Sequence, residues 1–195
     1  MAGDLLSALL DAVQCLEQMG LVYAIGGSVA SSVFGEPRAS ADADMIVELT
    51  EARLSELVAR LGARFYVSEE AAREAIRRHS SFNVIHEGSA YKLDMFVAGP
   101  DQLDREQLRR REQVALTGHP ESRAYVTAAE NIVLRKLDGS RKGGGVSEQQ
   151  WRDVLGVLKV QGLALDMVYL RDVACSEGLE GLLDRALGEA GLRPA

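Results

Sequence analysis

The sequence predicts an α/β (α+β) protein, a mixed sheet with helices packed on it, followed by a mainly helical C-terminal region. Three observations carry this. Short apolar runs alternate with helical-period segments through about residue 100. The runs Phe82–His86 and Tyr91–Val97 flank the turn-like Glu87-Gly88-Ser89, which suggests an antiparallel hairpin within an otherwise alternating pattern. Beyond Asp101 the spacing becomes mostly helical.

Taken in order, Leu5, Leu6, Leu9, Leu10, Val13 and Leu16 recur at helical spacing over Asp4–Met19, with Gly20 as the stop. Leu21–Ile25 reads as a strand and Ser28–Phe34 as a short helix ending at Gly35. Ala43–Leu49 is the next strand. Thr50 is placed to cap a helix over Glu51–Leu61, which Gly62 ends. Ala63–Val67 is a short strand, and Ser68 caps Glu69–Arg78. Farther on, Thr127-Ala128-Ala129-Glu130 and Ser147-Glu148-Gln149-Gln150 match the capping-box pattern, predicting helices over Ala128–Leu137 and to about Val160. Asp138 through Gly145, with its glycine run, reads as a flexible loop. Asp166–Ser176 and Leu179–Ala190 complete the helices. A catalytic domain over 1–100 and a helical region over 101–195, packed on the first, is the expected organisation.

Composition narrows the class. With 47% hydrophobic and 26% charged residues in 195, the chain has the make-up of a soluble globular domain. No apolar run approaches the ~20 residues of a membrane span, and the N-terminus lacks a cationic, apolar leader. Cys15 and Cys175 stand alone, as in a reduced cytoplasmic protein. A net charge of -7 argues against nonspecific DNA binding, although Arg105–Lys142 holds nine Lys/Arg against five Asp/Glu. That stretch is read first as a solvated helix face and second as a nucleotide or RNA contact.

The chemistry lies in Gly26-Gly27-Ser28, Asp42-Ala43-Asp44 and Asp94. On a strand, Asp42 and Asp44 share a face. Asp94 stands mid-strand, where an unpaired charge is costly. Carboxylates gathered on one face suit Mg²⁺, which takes oxygen ligands and shares its remaining sites with phosphates. Alternatively, Asp42 and Asp44 cap a turn and Asp94 pairs with Lys92 or an arginine. Gly26-Gly27-Ser28 follows a strand and opens a helix, so its backbone can approach phosphate at a helix N-terminus. Ser28 adds a hydroxyl or serves only as an N-cap. Arg38 is placed to grip a phosphate or to pair with the acids, and Lys136 falls within the helix after Glu130, where a solvated surface position is one reading. Asp153 reads as a partner for a basic side chain, and Trp151 as a helix-packing residue. His79, His86 and His119 have no ligand spacing, so zinc is not expected.

Together, Gly26-Gly27-Ser28, Pro37-Arg38-x-Ser40-x-Asp42-x-Asp44 and Lys92-Leu93-Asp94 resemble the polymerase-beta-like nucleotidyltransferase superfamily, in particular its minimal and abortive-infection-type bacterial members. The resemblance covers roughly residues 20–100 and extends loosely to about 160. It implies a mixed-sheet nucleotidyltransferase fold. Asp42, Asp44 and Asp94 would be the catalytic metal ligands for Mg²⁺, two ions in the family, with Asp94 also orienting or deprotonating the acceptor. Gly26, Gly27, Ser28, Arg38 and Lys136 would bind the nucleotide. Ala43 is smaller than the residue usual between the acids, and Ser40 stands where Thr is common. The implied reaction moves an NMP from an NTP, ATP favoured, to an acceptor hydroxyl with release of pyrophosphate. The acceptor is a protein, an RNA 3′ end or a small molecule, the first two in a toxin–antitoxin setting. The alternative is a non-catalytic nucleotide-binding or partner-neutralising module.

Overall fold

The computed structural model describes residues 3–117, 122–142 and 147–192. His119 and the triple glycine Gly143–Gly145 lie outside the described residues. The chain separates into two compact units, Met1–Val29 with Arg38–Thr127, and Ala30–Pro37 with Ala128–Ala195.

The first unit is a seven-stranded mixed sheet with helices on it, as the sequence predicts. Its elements are α1 (Gly3–Gln18), β1 (Tyr23–Ile25), the start of α2 (Gly27–Phe34), β2 (Asp42–Val47), α3 (Glu51–Leu61), β3 (Phe65–Val67), α4 (Glu69–Arg78), β4 (Ser81–His86), β5 (Lys92–Val97), α5 (Gln102–Arg109), β6 (Glu112–Ala115) and β7 (Arg123–Val126). The strand order is β3-β4-β5-β2-β1-β7-β6. β4 and β5 form the expected hairpin, antiparallel with Asn83 opposite Asp94. β5 then lies parallel to β2, with Asp42 opposite Lys92 and Asp44 opposite Asp94. β1 runs antiparallel to β2 and parallel to β7.

Alternation decides the two faces. Ala43, Met45, Val47, Leu93, Met95 and Val97 are buried on one face, beneath α1, α3 and α4, whose Leu9, Leu57, Leu61 and Ala72 are equally buried. Each large apolar side chain removed from water there contributes about 1.5–3 kcal/mol. The opposite face is only partly covered. Leu108 of α5 packs on Ala24 and Ile46 at one end, and the polar residues of β2 and β5 lie beyond it.

Beyond residue 101 the chain is mainly helical, but the sequence reading missed the hairpin β6–β7, in which Arg123–Val126 pairs with Glu112–Ala115. Glu112–Ala115 is largely exposed, so it lacks the apolar alternation that marks a strand.

The second unit holds the remainder of α2, then α6 (Ala129–Lys142), α7 (Glu148–Gln161), α8 (Met167–Ser176) and α9 (Glu180–Glu189). Gly35 lets the chain after α2 approach α7 closely, since a Cβ there would lie 2.8 Å from the Val157 nitrogen. Gln161 donates to the Phe34 carbonyl at 2.7 Å, satisfying a group at the end of α2. Trp151 packs α7 on α9. Its indole N–H donates to Glu189 at 2.7 Å and the Arg185 guanidinium lies 4.7 Å from its ring centre.

Several local expectations change. Asp138–Lys142 is helix rather than loop: Asp138 accepts from Arg141 and Lys142 one turn on, and Ser140 donates back to the Lys136 carbonyl. Neither capping box forms. The buried Thr127 hydroxyl has no hydrogen-bond partner among the described residues, and Glu130 instead accepts from the Asp166 amide at 2.8 Å. Ser147 and Thr50 precede α7 and α3 without a side-chain cap, whereas Ser68 accepts from the Ala71 amide as expected.

Candidate active site

Strand register assembles the site, all of it within the first unit. Asp42 and Asp44 lie two apart on β2, and Asp94 faces Asp44 from β5. Paired strands are about 4.8 Å apart, so the three acids and Lys92 form one polar row on the half-open face. Asn83 continues that row across β4 and is exposed. The exposed rings of Tyr66 and Phe96 lie on the same face, by register through Ile85 and Ser81.

The glycine turn is fitted to this row. The Gly26 amide donates to the Asp44 carbonyl at 2.9 Å, extending the β1–β2 pairing by one bond. Gly27 has φ +53, and a Cβ there would stand 1.7 Å from Asp44 Oδ2. Only glycine permits both that backbone and that approach. Ser28 is the second residue of α2 and donates to Ser40 Oγ at 2.7 Å, which donates to Asp42 Oδ1 at 3.1 Å. The turn and the first acid are thus linked through two hydroxyls.

Lys92 supplies the positive charge. Its ammonium lies 2.9 Å from Asp94 Oδ2. The hydrogen bond and charge of Asp94, followed by the charges of Asp42 and Asp44, raise the Lys92 pKa above its ordinary value. The pairing of Asp94 with Lys92, read from the sequence as an alternative to a metal site, is therefore present. Carboxylate and hydroxyl oxygens on one face are the donors Mg²⁺ takes, so the residue types fit. As the side chains stand, no group of three His, Cys, Asp and Glu among the described residues is arranged to hold a metal ion.

The other candidates lie elsewhere. Arg38 is half-exposed and donates to the Ala39 carbonyl at 3.3 Å. Lys136 belongs to the second unit and is not in solvent: it pairs with Asp153 at 2.8 Å, both side chains well buried. His86 bonds Ser89 and packs on Phe65, on the sheet face away from Asp94. Sequence reasoning overlooked Asn83 and the buried Gln107 of α5, whose Oε1 is 4.0 Å from where a Gly26 Cβ would be. Counting back from the β4–β5 turn would have put Asn83 opposite Asp94. Nothing in the sequence signals Gln107.

No family model matches this sequence, and no curated protein does. Solved structures do. The antibiotic-resistance factor ANT(2'')-Ia in solution superposes with a TM-score of 0.62 at 14% identity, over 97% of this chain and 100% of that one. Its crystal structure with adenylyl-2''-tobramycin gives 0.58 at 15%, over 88% and 97%. The lincosamide antibiotic adenylyltransferase LnuA, bound to lincomycin, gives 0.51 at 13%, over 79% and 96%. At these identities the likeness is one of architecture: the mixed sheet and helices of this chain have the nucleotidyltransferase fold.

Proposed function

We propose that this protein is a metal-dependent nucleotidyltransferase that moves an NMP group from an NTP to the hydroxyl of a small molecule. One observation carries the reading. The backbone of Gly27 lies against the carboxylate of Asp44, directly opposite Asp94, so a glycine turn that opens a helix and paired acids meet in one place. Gly26, Gly27 and Ser28 would receive the triphosphate at the N-terminus of α2. Asp42, Asp44 and Asp94 would hold Mg²⁺, which would supply charge neutralisation for the phosphates. In the transfer the acceptor oxygen bonds to the α-phosphorus, the bond to the bridging oxygen breaks, and pyrophosphate leaves. Asp94, whose side chain is 18% exposed, orients the acceptor hydroxyl and takes its proton.

ATP is favoured because LnuA is an adenylyltransferase and ANT(2'')-Ia is seen in complex with adenylyl-2''-tobramycin. Lincomycin and tobramycin in those structures likewise favour a small hydroxylated acceptor over a protein or an RNA end. The exposed Tyr66 and Phe96 offer apolar surface on the same face for such a molecule.

The test is incubation with labelled ATP, GTP, CTP and UTP against aminoglycosides, lincosamides, total RNA and cell lysate. Label is expected on a small molecule with ATP, and absent with Asp42→Asn, Asp44→Asn and Asp94→Asn variants of unchanged circular dichroism. Transfer at the unsubstituted rate in all three variants refutes the mechanism. Label on RNA or protein refutes the acceptor, and no label under any condition favours a binding module.

A further inference from the structure

The acidic row carries its own cation. Lys92 stands directly across from Asp42 in the β2–β5 register, and its ammonium contacts Asp94 at 2.9 Å. Like charges at directly paired strand positions, as at Asp44 and Asp94, repel unless something positive lies between them. We infer that the Lys92 ammonium is a resident counter-ion of this row, and that a divalent cation binds there by displacing it from Asp94. This rests on the metal site proposed above.

The geometry suits an exchangeable role. Lys92 is 42% exposed, so water can receive its head group when it leaves Asp94. Its stem is four carbons of freely rotating chain, and the ammonium is a point charge with no fixed fork to hold it in place. The backbone of β5 is fixed on both sides, by β4 and β2, so the exchange needs only side-chain rotation. One monovalent charge leaves a row of three carboxylates net negative, so the row still attracts a dication. Lys92 thus keeps the metal-free row stable and at the same time weakens metal binding.

Calorimetric titration with Mn²⁺ alone and thermal melts with and without Mn²⁺ test this. The comparison uses the unsubstituted protein, Lys92→Met, Lys92→Arg, Lys159→Met and Asp94→Asn. Lys159 is an exposed α7 residue and controls for net charge. Lys92→Met should bind Mn²⁺ about fivefold more tightly than Lys159→Met, the equivalent of one partly exposed ion pair. It should also melt lower without metal and gain more on adding it. Lys92→Arg, whose guanidinium fork holds a carboxylate more firmly than an ammonium does, should bind Mn²⁺ no more tightly than the unsubstituted protein. Lys92→Gln, whose amide can still donate to Asp94, replaces Lys92→Met if the latter does not fold. Equal affinity in Lys92→Met and Lys159→Met, or weaker affinity in Lys92→Met, overturns the inference. Unchanged Mn²⁺ binding in Asp94→Asn overturns instead the metal site on which it rests.

Discussion

The two glycines of the turn look interchangeable in sequence, and the structure separates them. A Cβ at Gly27 would stand 1.7 Å from Asp44 Oδ2, 2.6 Å from Cγ and 2.8 Å from Cβ. Rotating the Asp44 side chain relieves the first two contacts but not the third, because Cβ is fixed to the backbone of β2. The left-handed backbone at φ +53 adds about 1–2 kcal/mol for any residue with a Cβ. Forced repacking adds about 1–3 kcal/mol. Gly27→Ala should therefore destabilise by about 2–5 kcal/mol. At about 2–4 °C per kcal/mol for a chain of this size, the melting point should fall by roughly 5–20 °C. Transfer should fall at least about 100-fold, because Asp44 can no longer occupy its position. At Gly26 a Cβ meets only Gln107 Oε1 at 4.0 Å, an ordinary contact, and φ is not positive. Gly26→Ala should shift stability by less than about 1 kcal/mol. Differential scanning fluorimetry and a labelled-nucleotide assay on both variants decide the matter. A Gly27→Ala protein that melts and reacts like the unsubstituted one, or a Gly26→Ala protein that is the worse of the two, refutes the reasoning.

Two further predictions concern the second unit. The Lys136–Asp153 pair is nearly enclosed, at 12% and 6% side-chain exposure, so Asp153→Ala strands a buried ammonium and should cost about 3–5 kcal/mol in urea unfolding. Lys136→Met with Asp153→Leu should recover most of that loss, and a double variant no more stable than Asp153→Ala contradicts the pairing. Asp138 is buried, which pushes its pKa up, but hydrogen bonds from Lys142 and Arg141 outweigh that and bring it below its ordinary 3.8. A carboxyl lowered on folding stabilises the protein above its unfolded pKa, and that gain is lost as pH falls through the folded value. Asp138→Asn should thus cost about 1–2 kcal/mol at pH 6, reduced from a buried pair because its partners are solvated. The gap should narrow as pH falls below the ordinary carboxyl value, as urea melts at pH 6 and pH 3 would register.

Legibility in the sequence followed the range of the interactions involved. Helices α3 and α4 were placed to the residue because their apolar stripes and flanking signals are local. The β4–β5 hairpin was equally readable from its turn. β6 was not, since an exposed strand keeps no period and exists only by pairing with β7. Asp138–Lys142 was misread because glycine and serine were weighted above the ion pairs that close the helix turn. In the site, Asp42 and Asp44 share a face by alternation alone. That Asp94 lies opposite Asp44 is a parallel register across fifty residues, and no local rule gives it. Spacing likewise showed that the turn needed glycine, but not that Asp44 is the reason at Gly27 and not at Gly26.

The strand order has a consequence for how the acids come together. Residues 23–47 form one antiparallel ribbon, β1–β2, and residues 65–97 form a meander, β3–β4–β5. Each is made of near-neighbours in the chain and closes short loops. They meet along a single seam, the parallel β2–β5 pairing, which closes a longer loop than either of them does. The acids lie on that seam, two on one substructure and one on the other. Either piece could form its own hydrogen bonds and still have no site. Asp94 joins Asp42 and Asp44 only when the two halves of the sheet are docked in register, and a slip by one residue would send Asp94 to the buried face.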